Sequence, residues 1–131
     1  MFEVTARLTV RDGELEGFKR QAAEIMKATR ELDSKTARYD WYLSQDGTEC
    51  VVRESYVDAD ALVEHAMHIA AARNELFKEF ADDHTVELYA EPSPALAGAL
   101  EAMPPGAVRL KRFSLFQSLE ANAEVVMDVP A

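Results

Sequence analysis

The sequence predicts an α+β domain, a ferredoxin-like antiparallel sheet with its helices on one face. Three observations predict it. Hydrophobic spacing switches from a period of two to one of about 3.6 and back, in the order strand, helix, strand, strand, helix, strand up to residue 91. An Asp46-Gly47 turn folds two of the strands directly onto each other. With 131 residues and 48% apolar side chains, the chain is one domain large enough to bury its own core.

Residues 2–10 alternate as a half-buried strand, with Phe2, Val4, Ala6, Leu8 and Val10 opposed to Glu3, Thr5, Arg7 and Thr9. Asp12 is placed to cap a helix from Glu14 to Leu32, in which Leu15, Phe18, Ala22, Ile25, Met26 and Thr29 recur at spacings of three and four. Asp33-Ser34-Lys35 breaks that helix. Residues 36–44 put Ala37, Tyr39, Trp41 and Leu43 on one face, and 48–56 return as the partner strand beyond Gln45-Asp46-Gly47. Asp58 caps a second helix, Ala59 to Phe80, whose stripe holds Leu62, His65, Ala66, Ile69, Leu76, Phe77 and Phe80. Its Ala70-Ala71-Ala72 run allows close packing or a bend. Asp82-Asp83 ends the helix, and 84–91 alternate as a strand. Pro92-Ser93-Pro94 stops this strand and opens a short helix, Pro94 to Met103, capped by Ser93. After Pro104-Pro105-Gly106, residues 107–119 read as a further strand, and the last dozen as a tail or a strand in need of a partner. The chain thus divides into a domain at 1–94 and a C-terminal extension at 95–131 packed on it.

Glu49, Val51, Arg53 and Ser55 share one face of the second hairpin strand, and Cys50, Val52, Glu54 and Tyr56 the other. Neither face reads as simply solvated, which suits a sheet covered on both sides. The economical cover for the face away from the helices is a second copy, giving a homodimer. The net charge of −10 argues against nucleic acid and anionic membranes as partners, since both require cationic surface. No signal peptide or membrane-length apolar run is evident, and the lone Cys50 suits a reducing compartment, so the expected location is the cytoplasm.

Several local patterns resemble the antibiotic biosynthesis monooxygenase-like domain of the dimeric α+β barrel superfamily. They are Phe2–Leu8 followed by Asp12–Phe18, Tyr39-Asp40-Trp41-Tyr42, Arg53-Glu54-Ser55-Tyr56 running on to Asp58, Ala61-Leu62 and His65, and Val86–Tyr89 with Glu91-Pro92-Ser93. The resemblance covers residues 2–94. It implies a dimeric α+β barrel and a monooxygenase acting on a small aromatic, quinol-like or anthrone-like substrate, with no metal or flavin cofactor. A haem-degrading branch of the superfamily fits poorly. Ala6 stands where that branch has a polar Asn, and Glu75 near where its haem-ligating His falls.

Such a reaction needs a base for a phenolic or CH acid, and His65 is the candidate, its imidazole titrating near working pH. The other reading makes His65 a structural residue on an apolar face. Tyr39 and Trp41 can stack on an aromatic ring, or simply fill the core. Glu54 and Tyr56 share the neighbouring strand face; Glu54 anchors a hydrogen-bond network or polarises His65, or else pairs with an Arg such as Arg7 or Arg38. Leu62, His65 and Ile69 point inward together, which places a substrate pocket between the helices and the sheet, walled by Tyr39, Trp41, Glu54, Tyr56, Leu62 and Ile69. His65 and His68 with His84 lack the spacing and number of a zinc set, so no metal is expected. Mid-strand Cys50 reads as buried filler. The alternative to an oxygenase is a non-catalytic dimeric module of the same fold that binds a small ligand.

Overall fold

The computed structural model describes residues 1–120. Among them the elements are β1 (Phe2–Val10), α1 (Leu15–Leu32), β2 (Thr36–Leu43), β3 (Glu49–Tyr56), α2 (Ala59–Glu79), β4 (Ala81–Leu88), α3 (Pro94–Glu101) and β5 (Arg109–Arg112). They build one sheet in the order β2-β3-β1-β4-β5. The first four strands pair antiparallel in the ferredoxin-like order, whereas β5 runs parallel to β4. The sheet is therefore mixed, and only its first four strands are the antiparallel sheet that the sequence predicts.

The alternation of β1 explains its central position. Val4, Ala6, Leu8 and Val10 are buried on the helical side, and Leu8 and Ala6 lie beside Cys50 and Val52 of β3. Phe18 and Ile25 from α1, and Ile69 and Leu76 from α2, close over them as the main core. Helices α1 and α2 pack on each other across this face, and α3 lies against α2. Burying these side chains contributes on the order of 1.5–3 kcal/mol each. Asp58 and Ser93 cap α2 and α3 as their spacing predicts, accepting from the backbone N–H of Ala61 and Leu96.

Several boundaries differ from the sequence reading. Asp12 caps nothing: α1 starts without a side-chain cap, after a turn in which Gly13 takes φ 78°. Helix α2 runs through Ala70-Ala71-Ala72 unbroken, and the Gln21 amide donates to the Ala72 carbonyl, so the run serves close packing. The helix stops at Glu79, and β4 starts at Ala81 rather than 84 and ends at Leu88 rather than 91. Arg11 makes so abrupt a turn possible. Its guanidinium donates to the carbonyls of Phe77, Lys78 and Ala81 and pairs with Asp82, satisfying the end of the helix. Asp83, at φ 58°, takes up the register shift opposite Arg7 and Thr9. Helix α3 ends at Glu101, before Met103.

The expected strand over 107–119 shrinks to Arg109–Arg112. Past it the chain leaves the sheet edge and crosses the outer face, the one away from the helices. The Phe113 N–H donates to the Leu88 carbonyl and its ring stacks on Tyr89. Residues 113–117 there enclose a shallow cavity with Glu3, Thr5 and Arg53. Beyond this cover Tyr42 stays 54% exposed, and Phe116 and Leu119 are 92% and 98% exposed. The expectation for the last residues concerns 121–131, which lie outside the described residues.

Gly17 brings α1 close against Phe80 at the end of α2. A Cβ there would stand 2.3 Å from the Phe80 ring. Ala in place of Gly normally favours a helix by up to about 1 kcal/mol, but overpacking a rigid ring costs about 1–3 kcal/mol. Gly17→Ala should therefore lower stability by about 1 kcal/mol or more in urea unfolding, and pairing it with Phe80→Leu should shrink that cost. A stabilised Gly17→Ala would show that the contact relaxes freely.

Candidate functional site

Between the helices and the sheet lies a cavity of about 340 Å³, in the size range of small-molecule sites. Its floor comes from β1, β2 and β3 through Val4, Ala6, Tyr39, Trp41, Val52 and Glu54, and its roof from α2 through Leu62, His65, Ile69 and Arg73. Leu96 and Leu100 of α3, with Met103 and Val108 beyond it, close one end. The C-terminal extension is thus part of the wall.

The polar centre of the site is Asp33, the residue that ends α1. Its carboxylate accepts from His65 Nδ1 at 2.6 Å, His68 Nδ1 at 2.7 Å and the Thr36 hydroxyl at 2.7 Å. Burial pushes the Asp33 carboxyl up, but the hydrogen bonds from His68, Thr36 and His65 outweigh it and hold the group below the ordinary carboxylate range. His65 is 2% exposed. Burial pulls its imidazole below the ordinary value, partly opposed by the hydrogen bond to Asp33. The ring is therefore neutral near pH 7 with its proton on Nδ1, facing the carboxylate. That leaves the lone pair on Nε2, which is buried and has no hydrogen-bond partner among the described residues. An oriented neutral imidazole with a free Nε2 beside a cavity is suited to accept a proton.

Aromatic rings hold the imidazole from two sides. Tyr39 meets it edge-on at 4.5 Å, and Tyr56 at 5.5 Å with a tilt of 49°. Tyr39 in turn stands edge-on to Trp41. Burial, then the Glu54 charge, raises the Tyr39 hydroxyl well above its ordinary value. The Trp41 Nε1 is buried and makes no hydrogen bond of good geometry among the described residues, although it lies near enough to the Tyr39 oxygen to favour its phenolate.

Glu54 makes no ion pair with Arg7 or Arg38 but joins a buried hydrogen bond, in line with the network reading. Arg7 pairs with Glu87 and Arg38 with Asp40, while Glu54 accepts from the Tyr56 hydroxyl at 2.5 Å. Nor does it polarise His65, because Asp33 does. Burial raises the Glu54 carboxyl to about 7. Tyr56 itself is fully buried behind Glu54 and does not reach the wall, so of the expected pocket residues Tyr39, Trp41, Glu54, Leu62, His65 and Ile69 line the cavity and Tyr56 does not. Cys50 is buried, and burial raises its thiol to about 11. His84 stacks on Phe77, and burial followed by the Arg73 charge lowers it to about 4. Among the described residues, no three His, Cys, Asp or Glu side chains converge as metal ligands, and no helix is long and apolar enough to cross a membrane.

Sequence reasoning missed Asp33, Arg73 and the α3 residues. Asp33 read as a helix break, and nothing local ties it to a histidine 32 positions away. Arg73 did carry a signal, since it follows Ile69 by one turn on the inward stripe.

Similarity to known proteins agrees with this architecture. A family model described as antibiotic biosynthesis monooxygenase matches residues 1–83. The crystal structure of MupZ from Pseudomonas fluorescens is similar at 25% identity and a TM-score of 0.70, over 89% of this chain and 91% of that one. Rv0793 from Mycobacterium tuberculosis is 26% identical with a TM-score of 0.60, over 72% of this chain and 97% of that one. A structure called antibiotic biosynthesis monooxygenase, 21% identical with a TM-score of 0.62 over 71% and 100%, shares the fold. No curated protein sequence matches the chain.

Glu54 gives the site a pH signature. Its folded form keeps a proton that the unfolded chain releases, so its contribution to stability is full below about 4.5 and is lost as pH rises through about 7. Asp33, His65 and His84 carry the opposite sign, and being common to wild type and a Glu54 variant they cancel. Between pH 5 and 8 the wild type should lose on the order of 2 kcal/mol relative to Glu54→Gln in urea unfolding. Parallel stability curves would mean that Glu54 is already ionised in the fold.

Proposed function

The chain belongs to the antibiotic biosynthesis monooxygenase family, and on that premise we propose that it is a cofactor-independent monooxygenase of a small aromatic, quinol-like or anthrone-like substrate, with His65 as its base. The observation that carries the reading is the buried Nε2, unpartnered among the described residues, of an imidazole whose Nδ1 is fixed on Asp33.

For an anthrone-type CH₂ acid, His65 Nε2 takes one proton and leaves an electron-rich carbanion flanked by Tyr39 and Trp41. Asp33 stabilises the imidazolium that forms, and acts as a positioning residue. The carbanion gives its electrons to dioxygen, a C–O bond forms, and the imidazolium returns its proton to the distal oxygen. Loss of the second C–H proton with cleavage of the O–O bond yields a carbonyl and water. The balance is one CH₂ and one O₂ to one C=O and one H₂O. The largely apolar wall favours the step by limiting the water around the carbanion.

The protein is proposed to work in the cytoplasm as a homodimer, a second copy covering the outer face where Tyr42, Leu115 and Phe116 are exposed. Sedimentation equilibrium at micromolar concentration should give twice the chain mass, and Phe116→Asp should shift it toward monomer. A wild-type monomer would rule this assembly out.

The activity is tested by oxygen uptake on an anthrone and quinol panel. His65→Ala should cost roughly 10²-fold or more in rate. Asp33→Asn should cost roughly tenfold or more, since the Asn amide can turn the tautomer and take Nε2 out of the acceptor role. The acid limb of the rate profile should lie below pH 6.5, because the His65 pKa is depressed from that value. Full activity in His65→Ala removes His65 as the base, and no uptake across the panel favours a non-catalytic ligand-binding module.

A further inference from the structure

Arg73 has no part in the chemistry above, yet it stands in the cavity wall on the inward stripe of α2. No carboxylate pairs with it among the described residues. The nearby buried carboxyls are engaged elsewhere, Asp33 with His65 and His68, and Glu54 with Tyr56. The side chain is half-buried, and burial draws its guanidinium below the ordinary arginine value, as for a cation partly stripped of water. Its charge is felt by Tyr39, whose phenolate it favours, and by His65 and His84, whose neutral forms it favours. A cation so placed is unfavourable until an anion meets it.

We infer that the occupant of the cavity carries a carboxylate held by the Arg73 guanidinium, with its acidic proton turned toward His65. This rests on the reading of the cavity as the substrate site and names the class of substrate. The planar guanidinium fork matches a carboxylate in a bidentate pair. One positive charge balances a monoanion. His84, lowered to about 4, is neutral at pH 7 and supplies no second charge for a phosphate dianion. The spacing suits a compact ligand. Arg73 follows His65 by about 12 Å of helix rise, and helical side chains lean back toward the N-terminus, so the guanidinium reaches toward His65. A fused aromatic with a carboxylate near its acidic position spans what remains.

Two quinols test it, 1,4-dihydroxy-2-naphthoate and 1,4-dihydroxynaphthalene, which differ only in the carboxylate. Trp41 is the only tryptophan and lines the cavity, so its fluorescence reports binding under anaerobic conditions without turnover. The naphthoate should bind wild type at least tenfold more tightly. The ratio should fall to within twofold of one in Arg73→Met and be partly kept in Arg73→Lys. Equal wild-type affinities, binding of neither quinol at millimolar concentration, or a ratio unchanged in Arg73→Met overturns the inference. Should the Met variant fail to fold, Arg73→Gln and the wild-type ratio carry the same test. Oxygen uptake is read separately. A tenfold preference without uptake sinks the oxygenase reading and keeps this one, and uptake with equal affinities does the reverse.

Discussion

A single carboxylate ties the site together. Asp33 ends α1, reaches Thr36 at the start of β2, and takes both His65 and His68 of α2. One buried anion thus fixes the junction of the consecutive elements α1 and β2 to the distant α2. Its position is locally unfavourable, because the C-terminal end of a helix carries the negative end of the helix dipole. The three donors offset that cost, and removing any of them leaves a buried charge less satisfied. What results is an imidazole whose tautomer is set from behind, which a lone histidine on an apolar face would not have.

The cavity follows from how the layers meet. Cys50, Val52, Ala6 and Leu8 lie close together in the sheet, and Phe18, Ile25 and Leu76 fill the space above them at one end. Toward the other end Phe2, Val4, Tyr56 and Leu88 form a second cluster, roofed by α3 through Leu96. The gap between the two clusters is where His65, Tyr39, Glu54 and Arg73 stand. Polar groups are few, and each has a distinct electrostatic state: a neutral imidazole, a carboxyl near neutrality, a raised phenol and a cation with no counter-ion among the described residues. A low-dielectric wall keeps those states apart, since every shift traces first to burial except that of Asp33, where hydrogen bonds prevail.

Family membership and the site meet at one point. The family model stops at residue 83, whereas the likeness to MupZ spans 89% of the chain. The α3 residues that close the cavity belong to the stretch beyond the family model. The shared core thus supplies β1–β3 and the α2 stripe, and the segment beyond it sets the end wall of the cavity.

The sequence by itself determined the element order, because a period of two or about 3.6 is a local property that side-chain burial enforces along each segment. The same periodicity put Leu62, His65 and Ile69 on one inward stripe, and Tyr39 and Trp41 on one strand face. The tertiary structure alone decided the partners. Glu54 belongs to Tyr56 rather than to Arg7 or Arg38, and His65 belongs to Asp33, because hydrogen bonds between distant elements depend on register and packing that no local spacing encodes. It also decided that residues 113–117 lie across the outer face instead of extending the sheet. Their apolar content matches a strand, but the chain has already turned off the edge at Arg112, and the stacking of Phe113 on Tyr89 fixes where it goes.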